Sequence, residues 1–365
     1  MPTDYERDLA RIGDELSRLA DGPASADRAT RIAHCLYRRA SMTGDLGELE
    51  TAEAAVDAGL AEFGAWPDLC FVKANVDFKL HRLDNVRADL ELSPALRGSD
   101  DGRALAADLD LEEGRYEEAR RGYEGLDRSW SALARLANLE AKLGDRGRAD
   151  ELYAEAEDEL TAKELRSYCW LELQRGELGR PAEAERHYER AERAYSGDWL
   201  VDEHKARLRV TQGRLEKALE LYRSVAARAP RPEVHQALGD VCLRMGRAEE
   251  ARAWHDLALA AYLDSVERGD VHYLHHLAHF YLESRPDPAE ALRWASADYE
   301  LRPNLETRAM LRNVSVQAEE GGAEAAARPE ARREQVRHAP VGDHGLVAAT
   351  ARPGEGSLGQ RDARA

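Results

Sequence analysis

The chain has 365 residues, 43% of them hydrophobic, enough to bury a core as one large or two ordinary domains. Aromatic residues make up only 6%, and Ala, Leu, Glu and Arg dominate, a mixture that favours helix and supplies little for sheets. A formal net charge of −18 repels phosphate backbones, which argues against nucleic acid and anionic membranes as partners.

The first helix is expected over residues 4–20, where Leu9, Ile12, Leu16 and Leu19 form one stripe and DGPASAD closes it. Charges stand where a secretory leader needs an apolar run, and no window approaches 18 uncharged apolar residues. The expectation is a soluble, cytoplasmic protein. Next, TGDLGELETAEAAVDAGL from Thr43 places Ala52, Val56 and Gly59 at helical spacing after a turn, and residues 67–97 read as a weaker copy with His81 at its turn.

Five glycines then set a rhythm. GRYEEARRGYEGL starts at Gly114, GDRGRADELYAEA at Gly144, GRPAEAERHYERA at Gly179, GRLEKALELYRSV at Gly213 and GRAEEARAWHDLA at Gly246. Five residues after each stands Ala119, Ala149, Ala184, Ala218 or Ala251; nine after stands Tyr123, Tyr153, Tyr188, Tyr222 or, in the fifth copy, His255. Glycine permits the backbone that ends one helix and starts the next. The alanine lets two helices approach closely, and the tyrosine fills the space between them. One such hairpin cannot bury its own apolar face, so copies must stack.

A further copy, RPDPAEALRWASADYELRP, has Pro286 in the glycine slot and Ala291 five later. Glu172, Lys205 and Asp298 depart from the pattern, standing where small or apolar residues are expected. NLETRAMLRNVSV begins one more helix, and from Gly321 the chain turns Ala/Gly/Pro/Arg-rich, too poor in large apolar residues to offset its ordering entropy. The expected division is a capping helix and loop (1–26), a helical solenoid (27–320) and a disordered tail (321–365).

Cys35, Cys70, Cys169 and Cys242 form no CxxC pair and sit in apolar helical patterns, as buried free thiols do. Dinucleotide, Walker, GxSxG and HExxH motifs are missing, and no nucleophile–base pairing emerges from spacing, so the chain is not read as an enzyme and no cofactor is expected. VHYLHHLAHFY, residues 271–281, gathers four histidines. Packing in a polar seam is the favoured reading. A metal site built from His255, His275 and His279 is a second, and a proton-sensitive contact is a third.

The glycine–alanine–aromatic offsets in five consecutive copies, with Pro230 where the unit ends, resemble the tetratricopeptide repeat family over residues 27 to about 305. The opening TGD copy and the late RPDPAEALRW copy look like bacterial members. The resemblance implies an all-α, right-handed superhelix of about eight hairpins. It also implies a scaffold that holds a protein or peptide segment along its concave face, lined by the first helix of each unit. Counting back from the turns puts Asn138, Lys142, Arg166, Glu203, Arg207, Gln236, Asp240, Arg244, Tyr273, His276 and Phe280 on that wall. Some relatives clamp a partner's terminal carboxylate there. Asn138 fits such a set and the rest of it is missing. The alternative function is a metal-responsive or metal-handling accessory protein that uses the histidines.

Overall fold

In this computed structural model the described residues, 1–325, are helices joined by short turns. An opening helix α1 (Asp4–Ala20) is followed by a hairpin of α2 (Ala26–Thr43) and α3 (Leu46–Phe63) and one of α4 (Pro67–Lys79) and α5 (Leu83–Leu92). After the short α6 (Pro94–Gly98) come the pairs α7 (Asp100–Glu112) and α8 (Tyr116–Glu124), α9 (Trp130–Leu143) and α10 (Arg146–Asp158), and α11 (Leu165–Leu178) and α12 (Pro181–Ala194). Then follow α13 (Trp199–Thr211) with α14 (Leu215–Arg228), and α15 (Pro232–Arg244) with α16 (Ala248–Glu267). The eighth hairpin pairs α17 (Leu274–His279), prolonged by a π-helical turn (Phe280–Ser284), with α18 (Pro288–Leu301), and α19 (Leu305–Ala325) follows. The helix α19 runs past residue 321, where the tail was expected to begin; the rest of that expectation lies outside the described residues.

The periodic residues do the packing assigned to them. Ala119, Ala149, Ala184, Ala218, Ala251 and Ala291 are all at most 4% exposed, and Tyr123, Tyr153, Tyr188, Tyr222 and His255 at most 5%. Several helix starts are capped by short polar side chains, such as Ser129 accepting from the Ala132 amide, while Thr3 and Glu6 make a reciprocal capping box. All four cysteines are buried free thiols.

The departures from the pattern are absorbed locally. Glu172 is 1% exposed and accepts from Tyr168 Oη at 2.8 Å and Arg190 Nε at 2.6 Å, with His187 Nδ1 at 2.7 Å. Burial pushes its carboxyl up, but the contacts from His187, Arg190 and Tyr168 outweigh that and hold it at about 2. Lys205 is off the seam and pairs with Glu192, while its neighbour Ala206 is the residue buried between helices. Asp298 is buried against Arg302, whose Nη2 lies 2.9 Å away. In the eighth hairpin Ala278, not His279, is fully buried, next to the π-helical turn.

A stacked array needs contacts only between neighbours, yet this one turns back on itself. Tyr5 Oη and Trp199 Nε1 both donate to the Met42 carbonyl, at 3.1 and 2.8 Å. The start of α1, beyond capping α2 through Ile12, exchanges hydrogen bonds between Asp4 and Ser196. Arg82 reaches Asp270 at 3.4 Å, Arg302 reaches Glu112 at 3.3 Å, and the Leu305 amide donates to Tyr116 Oη at 2.6 Å. Gly44 shows why its turn is glycine. Its φ is +68°, and a Cβ there would sit 2.9 Å from Arg231 Cδ. The first turn thus presses against α13 and the start of α15.

Candidate functional site

The first helices of hairpins three to six form an inner wall, and the turns of hairpins one and two close over part of it. Between them lies a chamber of about 160 Å³. Of the residues expected on the wall, Asn138, Lys142, Arg166 and Arg207 line it. Trp170 and Gln174 also line it. With Arg166 they form a strip along one face of α11 at spacings of four residues, a helical signal that sequence reading could have followed from Arg166. The opposite lining, Ser41, Gly44, Asp45 and Leu46 from the first turn, carries no local signal, because it depends on the superhelix closing.

Charges in the chamber are largely matched. Asp108 is held by Arg135 at 3.0 Å, Glu112 by Arg302, and Lys142 Nζ lies 2.7 Å from Glu306. Glu177 accepts from Tyr188 Oη at 3.0 Å and has Arg207 Nη1 at 3.5 Å. Burial pushes the Glu177 carboxyl up, but Arg207 and His204 prevail and hold it below the ordinary range. What remains is a set of hydrogen-bonding groups with spare capacity. Arg166 donates to the Ser41 carbonyl at 3.2 Å, its one hydrogen bond among the described residues. The side-chain amides of Asn138 and Gln174 and the Trp170 indole make none within the described residues. Such groups can bind; no nucleophile stands beside a base among them.

The other expected wall residues are placed differently. Glu203 is half-buried beside Arg207, and its charge helps to raise the Arg207 guanidinium pKa against the opposing effect of burial. Gln236 is used inside the fold, donating to Ser284 Oγ at 3.0 Å and accepting from Tyr262 Oη at 2.9 Å. Asp240 lies 2.9 Å from His255 Nε2, and Arg244 is exposed at the end of α15. The expectation that Tyr273, His276 and Phe280 face a groove is corrected. Tyr273 and Phe280 are 2% and 0% exposed in the core of the eighth hairpin, and His276 is stacked on Tyr262. The short α17 and the π-helical turn after it set a different register from the one counted back from Pro286.

The metal alternative also gives way. His255 packs edge-on against Phe280, and His275 lies against His276 and His81. Among the described residues no three His, Cys, Asp or Glu side chains are grouped to hold a metal ion. No described helix is long and apolar enough to cross a membrane.

A tetratricopeptide repeat family model matches residues 173–231 and 204–266, the stretch in which the glycine–alanine–tyrosine offsets are most regular. Over those residues the chain carries tetratricopeptide repeats. No curated protein matches it. Among solved structures, a chain of the APC/C hetero-tetramer Cut9–Hcn1 superposes with a TM-score of 0.53 at 16% identity, over 86% of this chain. This repeat protein spans 60% of the length of that relative. The human IFIT1 dimer with PPP-AAAA gives a TM-score of 0.50 at 14% identity, over 88% of this chain and 78% of that one. At these identities the likeness is one of fold: an all-α superhelix of stacked hairpins.

Proposed function

We propose that this tetratricopeptide repeat protein is a non-catalytic scaffold whose solenoid, residues 27–320, holds a segment of a partner protein on its inner wall, anchored at the chamber. The observation that carries this reading is the set Asn138, Arg166, Trp170 and Gln174. These are two amides, a cation and an indole, turned to one enclosed space with hydrogen-bonding capacity to spare. Polar groups left unmatched in the folded chain are the ones a ligand can satisfy at little cost. The chamber's volume admits a side chain or a chain end rather than an extended strand, so the segment lies at its mouth and inserts one residue. Of the carboxylates that line the space, Asp108, Glu112 and Glu177 have arginines beside them and Asp45 is engaged in capping α3, which leaves Arg166 to favour an acidic or carbonyl-rich insert. The IFIT1 structure holds PPP-AAAA, whereas the net charge of −18 here repels such a ligand before it reaches the wall.

The test is the double variant Asn138→Ala, Gln174→Ala, which removes no hydrogen bond within the described fold. A partner captured by the full chain from its host should bind the variant at least tenfold more weakly, with an unchanged melting temperature. Equal affinity for both proteins would move the binding surface away from the chamber.

A further inference from the structure

The second hairpin gathers more carboxylates than cations. Asp77, near the end of α4, has a side chain 0% exposed. Its Oδ1 accepts from Arg82 Nη1 at 3.4 Å and from Asn85 Nδ2 at 3.3 Å. Its Oδ2 lies 3.6 Å from Lys73 Nζ, beyond hydrogen-bonding distance, and is buried with no donor among the described residues. Asp89 of α5 meets Asp77 across the hairpin within hydrogen-bonding reach, and its own Oδ2 is buried in the same condition. Two ionised carboxylates offer acceptors alone, so neither can satisfy the other. A proton between them satisfies both.

Glu53 and Asp57 of α3 face the same place. Lys73 Nζ lies 2.8 Å from Glu53 and 3.2 Å from Asp57, and Arg82 Nη1 lies 2.6 Å from Glu53. Four carboxylates, those of Glu53, Asp57, Asp77 and Asp89, thus meet the two cations Lys73 and Arg82. Arg82 is further shared with Asp270, ahead of α17, at 3.4 Å. The Cys70 thiol of α4 is buried near Asp89, and His81 of the connecting turn packs on His272 and His275. From α6 and α7 the hairpin receives Leu96, Leu105 and Leu109. Apolar surroundings of that kind make a fourth negative charge costly.

We propose that Asp89 keeps its proton at neutral pH and shares it in a hydrogen bond with Asp77 Oδ2, a pH-sensitive pin that holds α5 on α4. Burial first, then the charge and hydrogen bond of Asp77, push the Asp89 carboxyl up to about 7, against the pull of Lys73. The unfolded chain gives up this proton near pH 4, whereas the folded chain keeps it to about pH 7. The stabilisation is therefore complete below about pH 4, declines as pH rises through about 7, and is gone above that. There the two carboxylates repel, and Arg82, which also holds Asp270, is drawn toward them. The hairpin that brings Phe78 and Lys79 to the chamber is then loosest on the alkaline side.

Carbon-13 spectra of the full chain labelled at the aspartate carboxyl carbons, recorded across the acid to mildly alkaline range, read the proton directly. One carboxyl should titrate with a midpoint near pH 7, and its signal should vanish in Asp89→Asn. That isosteric change supplies an N–H where the proton would sit. In urea titrations at pH 5.5 and 8.0 the wild-type unfolding constant should rise about tenfold more between the two pH values than that of Asp89→Asn, a figure that allows for solvent screening of a half-buried group. Asp77→Asn, which approaches the pair from the other side, should flatten the response in the same sense. A wild type in which no aspartate carboxyl titrates above pH 6, a signal near pH 7 that persists in Asp89→Asn, or equal pH responses in the wild type and both variants would overturn the pin.

Discussion

Asp108 and Arg135 join the third and fourth hairpins inside the fold, with side chains 7% and 5% exposed. Arg135 Nε lies 3.0 and 3.1 Å from the two carboxylate oxygens, and Tyr123 Oη donates to Oδ1 at 2.9 Å. Asp108→Ala leaves the guanidinium with the Ser131 carbonyl at 3.4 Å and deprives the Tyr123 hydroxyl of its acceptor. Stranding one member of a buried pair costs about 3–5 kcal/mol, most of it the unmatched charge. Arg135→Met should cost somewhat less, about 2–3 kcal/mol, because Asp108 lines the chamber and can be reached by water. The double variant Asp108→Ala, Arg135→Met removes both charges and should lose less than the sum of the two single losses, by about 2 kcal/mol. Urea unfolding followed by circular dichroism at 222 nm measures all four proteins, with an unchanged m-value as the condition for comparison. Single losses that simply add in the double variant would show that the pair is not coupled, and the reasoning would fail.

Two further outcomes follow from burial. His279 is held neutral by burial at about 4, further lowered by His276. The unfolded chain takes up a proton below about pH 6.5 that the folded one refuses, so folding weakens by about 2 kcal/mol at pH 5 relative to pH 7.5 from this group alone. His279→Gln should remove that part of the pH dependence in urea titrations at the two pH values; an identical difference would show the ring is hydrated. Ala218, 0% exposed between α13 and α14, has no room for four heavy atoms in place of a methyl. Ala218→Leu should cost about 1–3 kcal/mol by overpacking, read as a lowered urea midpoint, and a neutral result would reveal slack in that hairpin.

The hairpins were legible because their signal is local. An alanine five residues after a glycine and a tyrosine nine after it are spaced by helix geometry alone, and every one of those residues is buried where expected. The wall of hairpins four to six followed from the same count, which is why Asn138, Lys142, Arg166 and Arg207 reach the chamber. The count failed in the eighth hairpin. There the π-helical turn follows a short first helix, so Tyr273 and Phe280 go into the core. Nothing in the sequence reported the return of the superhelix. The contacts of Gly44 with Arg231 and of His81 with His272 join residues whose separation exceeds any helical period. Even Glu172, a plain departure from the pattern, proved to be matched by His187 and Arg190 on the paired helix.

The clasp at the Met42 carbonyl changes how such an array must fold. Repeats that touch only their neighbours have low contact order, and they can nucleate anywhere and fray inward from either end. Here Trp199 closes a loop of 157 residues on Met42, and Asn304 closes one of 192 on Glu112. Those closures carry an entropy cost that is met late, after most hairpins exist. The first and last hairpins are consequently held by long-range contacts as well as by their neighbours. Fraying from an end then requires breaking the clasp first, and truncation by whole hairpins should produce an abrupt loss of stability rather than a gradual one.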